Sequence, residues 1–458
     1  MKARFGAWLA AALAPVLAMT ALPERAQASG FDFTRIGGER GHATTPTPFA
    51  AYFNPAALAN TKKIHIAGDL TLVFHNSTYD RTQSTVPEPA DAQGANTGKA
   101  TLNDVLVAPS LAGSMKFGDF AVGLMLLAPM SGSQAWNGNS KFDGNTMYPG
   151  AQDGTARWQM IQGDQIVLYT ALAASYTIPK LRLSFGAGVN LIYQSVRLLR
   201  ARTGRGDDAL PQEGRINMDV SGLSASFSLG TQWEALKDKL WIGLSYQAPP
   251  GMYGGMKLQG TLESWLHTGT PGTEDVELQQ KLPDIIRWGL RFREPRYELR
   301  LFGDVTRWSV VDKQCLVDKG TKCDLEPSGA AAPNTHIVSS QIRNWNNSFS
   351  IRAGASYWFM ENLEGFVGFG YGSNAIPAGY LEPGTIDGQT LSGSLGGRIT
   401  IGDHVGLLLQ YTYMQTLKRT VKNSKLDELD GISRLPTGAG DYTQAFSMLN
   451  GIAEFYFN

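Results

Sequence analysis

The chain has 458 residues, with 40 basic and 40 acidic side chains and only 17% charged residues. This balance sets up no long-range field for a nucleic acid or an anionic surface to follow. Glycine numbers 52, aromatics reach 10% and mean hydropathy is -0.17, a composition that suits Gly-punctuated strands better than a helical enzyme. A bilayer-crossing strand needs apolar side chains only at every second position, so mild average hydrophilicity does not exclude a membrane.

Lys2 and Arg4 precede an apolar run from Phe5 to Leu22, and Ala26-Gln27-Ala28 fits a small-x-small cleavage site. Residues 1–28 are therefore predicted to be a secretory signal peptide, with Ser29 the mature N-terminus. A membrane anchor is the competing reading, but Pro15 interrupts the run and a spanning helix wants about 20 apolar residues. Removing Lys2, Arg4, Arg25 and Glu24 takes away three cations and one anion, leaving a net charge of -2. No later stretch is long and apolar enough for a membrane helix, so a span after export has to be made of strands.

Residues 29–62 carry Gly37-Gly38, Gly41, Pro46, Pro48 and Asn54-Pro55 and lack sustained alternation. A folded segment inside a lumen and a periplasmic tail both account for them. Period-2 alternation begins at Lys63–Tyr79, with Ile64, Ile66, Leu70, Leu72 and Phe74 on one face. It recurs from Leu181 to Tyr193, where Leu183, Phe185, Val189 and Leu191 oppose Arg182, Ser184, Gly186 and Asn190. Tyr297, Leu299, Leu301 and Val305 oppose Glu298, Arg300, Asp304 and Thr306 in the same way. The scheme returns at Phe349–Phe359 and at Val405–Tyr413.

Short turns near Gly118-Asp119, Pro179-Lys180, Leu236–Lys239, Pro295-Arg296, Glu361-Asn362 and Gly402-Asp403 alternate with long polar connections. The latter fall at roughly 80–103, 131–159, 202–214, 260–275, 310–345, 374–389 and 418–441. Six turns and seven connections join fourteen strands, and a soluble sandwich does not require this short–long alternation whereas an outer-membrane barrel does. The expected fold is all-β: an antiparallel, membrane-spanning β-barrel of about 14 strands over residues 63–458. The chain closes on Glu454-Phe455-Tyr456-Phe457-Asn458, an aromatic-rich strand whose rings suit a bilayer interface, although such barrels commonly end on the aromatic itself.

Cys315 and Cys323 are close together in a polar stretch, and after export a disulfide is the better expectation than a metal site. Inward-facing cations, of which Arg300, Arg352 and Arg398 are the candidates for a ligand carboxylate, have a structural alternative in pairing with lumenal acids such as Asp304 and Glu298. Met125 to Met130, Trp136, Met147, Tyr148 and Trp158 read either as an apolar collecting surface or as ordinary aromatic belting. The six histidines, among them His267, show no paired metal spacing, and no Gly-x-Ser-x-Gly elbow accompanies them.

Asn54-Pro55-Ala56, Phe120–Leu124 with Ala128-Pro129, Trp241–Tyr246 and Leu282–Gly289 with Asp304–Trp308 occur in this order, and together they resemble the outer-membrane long-chain fatty-acid and aromatic-hydrocarbon transporter family (FadL-like and TodX-like proteins). Asn54-Pro55-Ala56-Ala57-Leu58, after a start at Ser29-Gly30-Phe31, is similar to the family's plug motif. Phe120-Ala121-Val122-Gly123-Leu124 leading to Ala128-Pro129 resembles its third strand, and Trp241–Tyr246 its Gly-x-Ser-Tyr strand. Leu282-Pro283-Asp284-Ile285-Ile286-Arg287-Trp288-Gly289, then Asp304–Trp308, Asn346–Tyr357 and Ala375-Ile376-Pro377, continue the match.

The resemblance implies a fourteen-stranded barrel in the outer membrane of a Gram-negative bacterium, with residues 29–62 as a hatch marked by Asn54, Pro55 and Ala56. It implies passive uptake of a hydrophobic small molecule, such as a long-chain fatty acid or a hydrocarbon, by a monomer without cofactor or catalysis. The stretch Phe31–Asn54 is shorter than the usual hatch, which leaves the degree of closure open. Sideways release into lipid needs a kinked or bulged strand, and Gly123 and Pro129 are the candidates, although Pro129 could simply end its strand. A polar-solute porin and a barrel-borne lipid hydrolase are the competing functions, the first testable by conductance and the second by ester hydrolysis.

Overall fold

The computed structural model describes residues 36–129, 131–266 and 270–457. The expected signal peptide, Ser29, Met130, His267 and Asn458 lie outside them.

Burial is inverted relative to a water-soluble fold. On the strand Leu183–Arg202, Val189 and Leu191 are 60% and 56% exposed, while Asn190 and Gln194 between and beyond them are buried. On Tyr297–Thr306, Leu299 is exposed and Glu298 and Arg300 are buried. In water, dozens of outward Leu, Val and Phe side chains would forgo roughly 1.5–3 kcal/mol of burial each and leave an apolar surface prone to aggregate. Acyl chains as the outer solvent remove that penalty, and a closed barrel satisfies every backbone donor within the sheet.

The strands are β1 (Ile64–Arg81), β2 (Gly98–Phe117), β3 (Phe120–Leu127), β4 (Gly132–Ala135), β5 (Gln162–Ile178), β6 (Leu183–Arg202) and β7 (Gly214–Leu236). There follow β8 (Leu240–Gln247), β9 (Met256–Trp265), β10 (Gly272–Gln280), β11 (Ile285–Glu294), β12 (Tyr297–Thr306) and β13 (Lys313–Asp318). The last are β14 (Ile337–Ile342), β15 (Ser348–Met360), β16 (Leu363–Gly372), β17 (Thr390–Ile401), β18 (Val405–Val421) and β19 (Gly440–Phe457). Five breaks, in β3/β4, β8/β9, β10/β11, β12/β13 and β14/β15, reduce these nineteen segments to fourteen antiparallel wall strands. The wall closes where β1 pairs with β19, Ile64 opposite Phe457 and Arg81 opposite Gly440. Gly118 and Gly402 supply left-handed φ of 59° and 56° in two of the tight turns.

Two stretches expected to be loops contain strands. Residues 260–275 belong mostly to the β9–β10 hairpin, and 310–345 hold β13 and β14. These segments extend the wall where outward side chains no longer need to be apolar, so a sequence such as Gly272–Gln280 shows no hydrophobic alternation. At the C-terminus Phe455 and Phe457 face outward, but strict alternation turns Tyr456 into the lumen beside Arg398. Cys315 is joined to Cys323 with a Cα–Cα distance of 5.7 Å, tying β13 to the loop that follows it.

Residues 36–61 thread the lumen as a hatch. Gly38–Arg40 forms a 3-10 turn, Ala50–Phe53 one helical turn, and Pro55–Asn60 a second 3-10 turn. Pro55 at the first turn position sacrifices no hydrogen bond, and the Asn54 side chain caps the turn by accepting from the Ala56 N–H at 3.1 Å.

Candidate functional site

The wall is shaped to seat the hatch. Wall glycines stand where hatch atoms approach: a Cβ at Gly186 would collide with the Pro55–Ala56 backbone, one at Gly230 with Asn54, and one at Gly243 with the Ala43 carbonyl. At Gly123 it would meet Leu58 at 2.7 Å, and at Gly354 the Glu39 carboxylate at 2.8 Å. Hydrogen bonds fix the register. Asn54 Nδ2 donates to Ala43 O at 2.7 Å and to Thr231 O at 3.1 Å, and Ser245 Oγ donates to Phe53 O at 2.7 Å. Lys116 Nζ donates to Ala59 O at 2.6 Å, Gly37 N to Asp69 Oδ2 at 2.7 Å, and Arg40 pairs with Glu364 at 2.9 Å. The space left beside the hatch, bounded by His42, Tyr52, Phe53, Arg287 and Arg352, is about 40 Å³, enough for a water molecule or two. Short as it is, the segment packs closely against the wall glycines.

Above the hatch lie two chambers. The larger, about 340 Å³, has an apolar wall of Val196 and Leu198 from β6, Ile216 and Met218 from β7, Leu262 from β9 and Leu278 from β10. Into this wall β6 also brings Arg200, which is 3% exposed. Its Nη2 reaches Ser339 Oγ at 3.4 Å, while Nε and Nη1 have no hydrogen-bond acceptor among the described residues. The neighbouring cation Arg343 is already satisfied by Glu382 at 2.6 Å and Gln314 at 2.8 Å. A buried guanidinium with idle donors in an oily chamber is chemically suited to a carboxylate carrying an apolar tail. The smaller chamber, about 230 Å³, is lined by His75, Leu106, Ile376, Asp387, Met414 and Phe446 among others. The two are adjacent, with Gly132, Gln134, Trp308, Trp345 and Thr385 lining both.

The arginines named from sequence sit lower. Arg300 donates to Glu298 and to Ser356, both at 2.8 Å, and Glu298 also takes Arg291 and Arg293. Arg398 pairs with Glu454 at 2.8 Å, and Arg352 lies 5.1 Å over the Phe302 ring beside the hatch. Asp304 receives Ser350 and Thr306. Arg200 escaped notice because Arg197, Arg200 and Arg202 occupy both parities of β6, so alternation does not single one out.

The wall breaks at the third strand. Pairing between β2 and β3 ends at Leu111–Leu126, and β4 pairs with β5 from Gly132–Gln165 to Ala135–Gln162. Among the described residues β2 has no strand partner on that side above the break, until Asn137 N donates to Thr101 O at 2.9 Å. Pro129 lies in the break and lines the hatch cavity, whereas Gly123 stands in the fully paired part of β3 under Leu58. Pro109, two residues beyond the last β2–β3 pair, has no N–H to offer a missing neighbour. Leu106, Gly132 and Ser133 bring the smaller chamber to this break.

The residues read as a collecting surface or as aromatic belting divide: Met147 is exposed and Tyr148 half-buried, while the two tryptophans belong to a core beneath the external loops. Trp136 and Trp158 are buried, with Trp158 Nε1 donating to Asn96 at 2.9 Å under the Arg157 guanidinium, and Met125 faces the hatch cluster. Asp208 ties two of these loops together by accepting from Arg81 at 2.7 Å and from the N–H groups of Thr85 and Val86 at 2.9 Å.

The family model for outer membrane protein transport protein (OMPP1/FadL/TodX) matches residues 36–448. No curated protein matches the sequence. Among solved structures, a Pseudomonas aeruginosa FadL homologue superposes with a TM-score of 0.75 at 16% identity, covering 95% of this chain and 100% of that one. The Ralstonia pickettii toluene transporter TbuX gives a TM-score of 0.60 at 17% identity, covering 89% and 94%. The Pseudomonas putida toluene transporter TodX gives 0.60 at 14% identity, covering 94% and 98%. At such identities the likeness is one of fold. With the family match running from the hatch to the last strand, this lipid-facing, plugged barrel belongs to the OMPP1/FadL/TodX family of outer-membrane transport proteins.

Proposed function

We propose that the protein takes up hydrophobic carboxylates, long-chain fatty acids being the type, by passive diffusion as a monomer. The observation that carries the reading is Arg200: a buried guanidinium with two idle donor nitrogens among Val196, Leu198, Ile216 and Met218. A neutral hydrocarbon would leave those two nitrogens without an acceptor, which is costly in an apolar chamber. The ligand's head group is held at Arg200 while its tail lies along the apolar wall, and the molecule leaves chemically unchanged. Release is sideways, from the smaller chamber through the break between β2 and β4 into the acyl chains of the outer membrane. Pro109 and Pro129 favour that path by withholding ladder hydrogen bonds at the break.

The test is uptake of radiolabelled hexadecanoate and toluene by vesicles containing the purified protein. Arg200→Ala is expected to lower hexadecanoate affinity by about tenfold, the worth of one charge-assisted hydrogen bond, and to spare toluene. Equal loss of both would overturn the head-group assignment. A steady ionic conductance of the wild type in planar bilayers would favour an open porin instead.

A further inference from the structure

Trp308 and Trp345 stand where the chambers meet, and both are products of wall breaks. Trp308 comes from the interruption between β12 and β13, Trp345 from that between β14 and β15. Leaving the ladder frees each side chain from strict in–out alternation, and both rings line the passage. Their centroids are 5.0 Å apart with planes at 65°, an edge-to-face pair. The Trp345 backbone is anchored, its N–H donating to Val311 O at 3.3 Å. Its ring is held by packing and not by a hydrogen bond: the Arg343 guanidinium lies 5.6 Å over it, and among the described residues the indole Nε1 has no acceptor. Across from the pair are Gly132 and Gln134 on the short strand β4 and Thr385 from the loop after β16.

A ligand moving from Arg200 toward the β2–β4 break passes these five residues, the lining that the two cavities share. We infer that the Trp308–Trp345 pair is the size-selecting constriction of the passage, admitting unbranched chains and holding back fused-ring ligands of equal charge. A polymethylene chain presents the smallest cross-section of any hydrophobic molecule of its mass and threads the slot between ring edge and polar rim. A fused-ring system cannot pass until one indole swings away. The inference rests on the transport reading above and deepens it by assigning the residues that set ligand shape.

The experiment compares flux of hexadecanoate and of a pyrene carboxylate into vesicles carrying the full mature protein. Trp345→Ala is expected to raise the ratio of pyrene to hexadecanoate flux by at least about tenfold, the scale on which pocket size discriminates. Trp345→Phe, which retains a ring, should keep most of the wild-type ratio. A folded Trp345→Ala protein with an unchanged ratio overturns the inference. Wild-type vesicles that carry hexadecanoate no faster than empty ones overturn the transport reading instead. Should the alanine variant not fold, as judged by heat-modifiable gel migration, Thr385→Trp narrows the same passage from the other side. It must lower the ratio further, and failure to do so counts against the constriction.

Discussion

Gly230 of β7 lies directly behind Asn54 of the hatch, and one added methyl group would overlap the carboxamide oxygen that caps Ala56. Gly230→Ala therefore forces either the wall or the hatch to yield, at an overpacking cost of about 1–3 kcal/mol. Planar-bilayer recordings should show brief openings absent from the wild type. Gly393→Ala and Gly451→Ala, where the new methyl meets open space, are the matched controls and should remain silent.

Asn54 itself joins three chain segments through Ala43 O, Thr231 O and the Ala56 N–H. Asn54→Ala removes the cap and two donations to buried carbonyls, for a loss of about 1–3 kcal/mol confined to the hatch. Limited proteolysis from the periplasmic side should cut near residue 54 in the variant, with the barrel's melting temperature nearly unchanged. A resistant hatch would mean that the wall glycines alone hold it.

The inverted burial can be tested on adjacent residues. Leu191 faces lipid and Asn190 the lumen. Leu191→Arg should cost roughly 2–4 kcal/mol if it sits near the bilayer midplane, measured by urea titration of folding into lipid vesicles. The same substitution in a barrel whose oily face looked inward would instead disrupt packing and abolish folding.

Burial pushes the Asp387 carboxyl up to about 6, although the N–H groups of Ala375 and Ile376 donate to it at 2.8 Å and Arg419 is close by. The folded protein therefore holds this proton more tightly than the unfolded chain, whose ordinary value is 3.8. Stability from this group is greatest below the unfolded value, declines as pH rises toward 6, and is level above it. D387N should lack this decline, about 1 kcal/mol between pH 4.5 and 7 once partial solvent access is allowed for. Parallel stability curves for the two proteins would refute the assignment.

The Cys315–Cys323 bond closes a loop spanning eight positions, and chain-entropy arguments give such a closure about 2–3 kcal/mol. Reduction should speed amide exchange in β13 and β14 while leaving β1, β18 and β19 protected. Uniform loosening would show that the upper wall is not an independent unit.

The barrel was legible in the sequence because the lipid imposes a strict two-residue rhythm, and Val189, Leu191, Leu299 and Leu409 obey it. The rhythm fades where water replaces lipid outside, which is why β10 and β13 read as loop. Asn54-Pro55-Ala56 stands out in the sequence through its likeness to the family's plug motif, with Asn54-Pro55 also marking a turn. Arg200 and the two tryptophans were not, because their roles depend on which neighbours lack a partner and on where strands break. Trp308 follows an alternating strand without continuing it, and the sequence of β12 carries no mark of the turn inward. Pairing is legible only where the acid is near in sequence: Glu298 stands two residues before Arg300 on the same face of β12, whereas no acid on the Arg200 face of β6 marks that cation as paired or unpaired.

Asp69 on β1 accepts from Gly37 of the hatch and from Asn450 on β19. One carboxylate thus touches the plug and both sides of the seam where the first and last strands join. Closing the wall and seating the N-terminal segment therefore draw on the same group, so a change that loosens one of them withdraws a hydrogen-bond partner from the other.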